Sequence, residues 1–194
     1  MGNVSEQQKN IAKHLAMVFS VDKPPIIQYW DDQRKSDVYL LQAENVPQLG
    51  VTSFATIGLS DHPLFFEGKE FEARVELVGA CHSGCPNYAN VLATAAFCII
   101  NSKWFCAPGM IFPGVLDMYD LSSTMSDIYF AHPFLWGDRL MSTILGGRTI
   151  AWLLAVPVSK AETEFARKFG PKKLEELFVE KDIDIFNLNR ASVI

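Results

Sequence analysis

Residues 149–158 read TIAWLLAVPV. The run holds no charged residue and only one hydroxyl, so it cannot alternate between core and water. It predicts a strand at the centre of a sheet, covered on both faces. Pro157 belongs near its end, where a missing N–H costs no ladder bond. Beyond this strand the pattern becomes helical. Ser159 and Glu162 have capping-box spacing, and Ala161, Phe165 and Phe169 line one side of a short helix. Gly170 stops that helix. Pro171 opens another, whose inner face is Leu174, Leu177 and Phe178. Ile183, Ile185, Phe186 and Leu188 then tie down the tail.

Upstream, Gly146–Gly147 is a turn, Ser126 to Phe130 a strand, and Ile111–Phe112 a short apolar piece between two Pro-Gly turns. A helix runs from the residues after Pro86, with Tyr88, Val91, Leu92, Ala95 and Ile99 on one face. In Phe71 to Val78, Phe71, Ala73, Val75 and Leu77 alternate with Glu72, Arg74 and Glu76. Period two with a solvated face implies a sheet covered on one side there, or an edge. Earlier strands are expected over Ile26–Trp30, Val38–Ala43 and Gly50–Leu59. The first element is a helix from Ser5 to Phe19, with Ser5 and Gln8 as a capping box and Ile11, Leu15, Val18 and Phe19 inward. Helices before, within and after strands define an α/β (α+β) class: a sandwich of a mixed β-sheet with flanking helices. No linker or repeat divides residues 1–194, so one domain is expected.

Composition narrows the partners. The net charge of −5 disfavours a nucleic-acid backbone and suits a basic protein. No signal peptide and no run of 18 apolar residues is present, so a soluble cytoplasmic protein is expected, with no membrane partner. Met1-Gly2 followed by Ser5 misses the myristoylation pattern, which needs the hydroxyl at the next position. The four cysteines are expected as free thiols.

Chemistry has one local candidate, Cys81-His82-Ser83-Gly84-Cys85. Structural zinc would need Cys98 and Cys106 as further ligands, and a second CxxC is missing. A Cys85 nucleophile would need His82 folded back within hydrogen-bond reach. No GxGxxG or GxxxxGK[ST] is present. Catalytic, metal and cofactor residues are therefore assigned to none. Two docking surfaces are expected instead. One is the strand 71–78 as a free edge, presenting Glu72, Arg74 and Glu76. The other is the irregular segment 117–138, where Asp117, Asp120, Asp127 and Asp138 steer a basic partner and Tyr119 and Trp136 anchor it.

Three segments carry a resemblance. The end of the chain, AWLLAVPVSKAETEFARKFGPKKLEELFVEKDIDIFNLNRASVI, closes on Asp182, Asp184, Asn187, Arg190, Ser192 and Val193. TSFATIGLS spans Thr52 to Ser60, and FEARVELVGA spans Phe71 to Ala80. Together they resemble the suppressor of fused (SUFU) domain family, over roughly Val38 to Ile194. The cysteine loop is a departure from it. The resemblance implies a binding module without agreed catalytic residues. Animal members carry a second domain and restrain a transcription factor, and this chain is too short for that. Bacterial members of this length resemble immunity proteins, or antitoxins, encoded beside secreted toxins. The implied function is non-catalytic neutralisation of a cognate toxin, a nuclease among the candidates, by direct binding. A regulatory or scaffolding module and a small hydrolytic enzyme using residues 81–138 are the alternatives.

Overall fold

The structure is a computed structural model that describes residues 4–194; the Met1-Gly2 start of the rejected lipidation pattern lies outside them. In chain order the elements are α1 (Glu6–Phe19), β1 (Ile26–Trp30), β2 (Asp37–Glu44), β3 (Val51–Ile57), the small hairpin β4 (Phe65–Phe66) and β5 (Lys69–Glu70), and β6 (Arg74–His82). Next come α2 (Tyr88–Ile100), β7 (Ile111–Phe112), β8 (Asp127–Ala131), β9 (Thr143–Leu145), β10 (Arg148–Val158), α3 (Lys160–Phe169) and α4 (Pro171–Glu180). Eight strands form one mixed sheet in the order β1-β2-β3-β6-β10-β8-β7, with β9 also on β10.

The apolar run is the middle of that sheet. β10 pairs parallel with β6 on one side and antiparallel with β8 on the other. Its alternate residues serve two cores. Leu153 and Ala155 pack under α2, while Ile150, Trp152, Leu154, Val156 and Val158 pack on the opposite face. That opposite face is covered by α1, by the 3₁₀ segment Phe134–Leu140, and by residues of α3 and α4. Pro157 stands second from the strand's end, opposite Ile128, as its missing N–H requires.

Local signals act as written. Ser5 and Gln8 close a reciprocal capping box on α1, and Ser159 and Glu162 close another on α3. α2 lies close to the sheet because Gly79 has no side chain: a Cβ there would stand 2.9 Å from the Tyr88 hydroxyl. That hydroxyl donates to the Ala155 carbonyl at 3.0 Å, joining α2 to β10.

Two expectations need correction. β6 begins at Arg74, runs through Cys81 to His82, and lies between β3 and β10. It is buried on both faces and is not an edge, so Cys81 and His82 belong to a strand and not to the loop. In α3 the inward side is Glu162, Thr163 and Ala166, while Phe169 is exposed and stacks on Phe165. The reason lies in the tail, where Arg190 draws Glu162 inward.

Arg190 is the tail's anchor. Its guanidinium grips Glu162 with two parallel bonds of 2.6 and 2.8 Å, and donates to the carbonyls of Ala191 and Pro157. Glu162 also accepts the N–H groups of Ser159 and Val193. The Phe178 ring of α4 covers the guanidinium at 5.2 Å. Glu162 is fully buried and Arg190 nearly so. Arg190→Ala would leave a buried carboxylate without its cation, and is expected to lower the unfolding free energy by about 3–5 kcal/mol in urea titrations. Arg190→Lys should not restore it, because an ammonium cannot reproduce the planar fork. A loss below about 1 kcal/mol would show that the pair is dispensable.

Candidate partner-binding surfaces

The sequence candidates do not converge on one face. Glu72 is exposed in the turn before β6. Arg74 is half-buried and donates to Glu70 at 2.6 Å and to the Phe71 carbonyl. Glu76 is completely buried. It accepts the hydroxyls of Thr56 and Ser60 at 2.6 and 2.7 Å, and the N–H groups of Gly58 and Ser60 at 3.0 Å each. Burial pushes its pKa up, and those four donors hold it back. The expected charged face of Glu72, Arg74 and Glu76 is thus corrected: one residue is solvated, one is paired locally, and one joins β6 to the turn after β3.

Segment 117–138 divides in the same way. Asp117 is exposed and pairs with Lys160 at 3.3 Å, and Asp120 is exposed just beyond it. Asp127 is buried, accepting from Gly114, Ser126 and Thr163. Asp138 is exposed, but it follows Trp136, which packs in the core shared with α1, whereas Leu116 packs in the α2 core. Asp117 and Asp138 therefore adjoin opposite faces of the sheet. Trp136 is not a surface anchor either: it is 1% exposed, packs on Phe19, and donates its indole N–H to Ser53 at 3.2 Å.

The cysteine loop assembles no nucleophile and base. His82 Nε2 lies 2.8 Å from the Asp184 carboxylate, and its backbone N–H donates to the Phe186 carbonyl. Its partner is therefore the C-terminal tail. The Cys81 thiol is pushed up to about 12, chiefly by burial and then by Cys85, and burial also raises Cys98 and Cys106. All four cysteines are free. Among the described residues, no three His, Cys, Asp or Glu side chains gather to hold a metal ion.

Two open surfaces were missed in the sequence. The first is the sheet edge at β1, which pairs only with β2. Its residues Ile26, Ile27 and Trp30 are exposed, and no charge interrupts IIQYW. A groove of about 610 Å³ adjoins it, lined by Trp30, Asp32, Phe97, Met118 and Tyr119 among others. Pro24-Pro25 before an uncharged apolar strand was the available signal. The second is a cleft of about 340 Å³ between α4, the tail and the 3₁₀ segment Phe134–Leu140. Its walls come from residues 129–134, 156 and 175–185, and no single stretch of sequence announces it.

This architecture, a mixed sheet between helices and closed by the tail, is that of a known class. The family model for Suppressor of fused protein (SUFU) matches residues 32–191, and the chain belongs to that family. Its sequence is 41% identical over 191 residues to the immunity protein YqcF of Bacillus subtilis (strain 168), covering 98% of this chain and 99% of that protein. Among solved structures, a SUFU homologue from Neisseria gonorrhoeae FA 1090 superposes with a TM-score of 0.70 at 15% identity, over 97% of each chain. A chain of the Sufu–Fu complex matches with a TM-score of 0.67 at 16% identity, over 96% of this chain and 92% of that one. Drosophila Suppressor of Fused matches with a TM-score of 0.66 at 17% identity, over 95% of this chain and half of that one.

The burial of Glu76 decides how it should be tested. Glu76→Ala removes the acceptor of two buried N–H groups, each costing about 1–3 kcal/mol when unpaired. A loss of about 3 kcal/mol in unfolding free energy is expected, against less than about 0.5 kcal/mol for the solvated Glu72→Lys. Equal, small effects in denaturant titrations would contradict this assignment.

Proposed function

We propose that this chain is an immunity protein that binds a cognate toxin and blocks it by occupying its surface, without chemistry. The observation that carries the reading is the 41% identity to the immunity protein YqcF across nearly the whole of both chains. The geometry supports a binder over a catalyst. His82 meets Asp184 and not the Cys85 thiol that would need it as a base, so the loop does not assemble a nucleophile–base pair. The exposed apolar edge at β1 and the cleft beside α4 are surfaces of the kind that partners cover. A chain of the Sufu–Fu complex shares the fold, so the same scaffold occurs in a protein complex.

The partner that fits is a basic toxin domain, because the chain carries a net charge of −5. A nuclease domain meets that description. The site of action is the cytoplasm, where four free cysteines are kept reduced. No helix among the described residues is long and apolar enough to cross a membrane.

The test is co-expression. The toxin domain encoded beside this chain is induced in a sensitive host, with and without the protein. Growth is expected to be restored by this chain and not by an unrelated immunity protein, and the two proteins should co-purify. Continued killing at full expression, with no complex recovered, would exclude the immunity reading and leave a regulatory or scaffolding binder.

A further inference from the structure

The cleft beside α4 has a composition that specifies its occupant. Its floor is sheet face at the bottom of the hollow, formed by Tyr129 and Ala131 of β8 and Val156 of β10, all three buried. Phe178 and Val179 of α4 make one wall, and Phe134 and Ile183 close the sides. The rim is strongly apolar and open to water: Phe134 is 62% exposed and Val179 is 82% exposed. A soluble protein seldom leaves such residues together around a hollow unless something covers them.

Charge in the cleft has one sign. α4 and the turn after it present Glu175, Phe178, Val179 and Asp182, spaced as one helical stripe. Glu175 accepts the Tyr129 hydroxyl at 2.7 Å, which fixes its carboxylate at the mouth. Among the described residues, no lysine or arginine lines the cleft: Lys181 turns to Glu180 at 3.4 Å, and Arg139 donates to the Trp136 carbonyl. Among the described residues, the cleft's other titratable side chains are those of His132 and Tyr129. The volume of about 340 Å³ lies at the small end of the usual range for ligand sites, about 300–1,000 Å³. Phe134 and Val179 carry the apolar lining outward onto the open surface, where a protein face covers more of them than a small molecule in the hollow does.

We propose that this cleft receives a single apolar side chain of the toxin, flanked there by a lysine or arginine that meets Glu175 and Asp182. The proposal rests on the immunity reading and adds the surface and the chemistry of the contact. The anchor would be desolvated over Tyr129 and Val156, and the collar of Phe134 and Val179 would keep water from the cation and its carboxylates.

The experiment is a binding titration of the cognate toxin domain against the wild type and four folded variants. Val179→Lys and Glu175→Lys place a cation where the partner's cation belongs, and Phe134→Ala removes part of the collar. Glu72→Lys makes the same charge change as Glu175→Lys far from the cleft. Val179→Lys and Glu175→Lys are expected to weaken binding at least about tenfold and Phe134→Ala about fivefold, with Glu72→Lys unchanged. If Glu175→Lys does not fold, Val179→Lys and Phe134→Ala carry the test. Wild-type affinity in those variants, beside a wild type that still neutralises, would overturn the cleft and leave the immunity reading standing. An equal loss in Glu72→Lys would also overturn it, showing that net charge alone was being read. A wild-type dimer that Val179→Lys dissociates without toxin would assign the cleft to a second copy instead. Failure of the wild type to bind or neutralise would remove the immunity reading itself, and the toxin site with it.

Discussion

The buried pair of Glu162 and Arg190 is the constraint that the C-terminal third of the molecule depends on. Two charges removed from water seldom add net stability over an apolar pair of similar size. What they add here is position. One guanidinium fixes the start of α3 through Glu162, the end of β10 through the Pro157 carbonyl, and the last residues through Ala191. Ser159 and Ser192 bond each other beside it, and Ser122 donates to the Leu188 carbonyl further along the tail. The tail held in this way supplies Ile183 and Ile185 to the cleft, and the ion pair lies directly behind its Phe178 wall.

The segments that carry the family resemblance meet in the interior at two carboxylates, Glu76 and Glu162. Thr56, Gly58 and Ser60 lie in TSFATIGLS, and their donors converge on Glu76 of FEARVELVGA. Arg190 in the closing motif binds Glu162. Glu76 and Arg190 thus tie these motifs together through hydrogen bonds within the core, where an unpaired partner would be costly, while Asp182 and Asp184 stay exposed. Those bonds specify the scaffold. The surfaces at β1 and beside α4 lie outside that network. The two sets of residues overlap in sequence: Val156, Glu175, Phe178 and Asp182 of the cleft lie in the same C-terminal stretch that carries the resemblance.

Legibility followed the range of the physics. The helix from Ser5, the capping boxes, the two-faced burial of TIAWLLAVPV and the inward Leu174 were all readable, because each depends on neighbours within a turn or a strand. Leu177 and Phe178, expected beside Leu174 on the inner face, are only half-buried. Glu76 was misread because alternation with apolar residues normally marks a solvated face. Its donors lie about 20 residues earlier, in a turn whose closeness only the fold provides. Trp136 likewise looked available beside Asp138 until the sheet and α1 enclosed it. The true edge, Ile26 to Trp30, was recognised as a strand, but its place at the end of the sheet is a property of topology. The cleft was invisible for the same reason: Phe134 and Val179, 45 residues apart, line one hollow only in the folded chain.

The central claim is that neutralisation is occupancy of the toxin's surface. It is tested most directly by titrating a fixed amount of active toxin with increasing amounts of this protein and following residual toxin activity over time. The account predicts that activity falls in proportion to added protein, reaches zero at a fixed molar ratio, and does not change with longer incubation. Full activity should return when the complex is taken apart. Progressive inactivation by a small fraction of that ratio, or toxin left chemically altered after separation, would mean that the protein acts as a catalyst and would contradict the account.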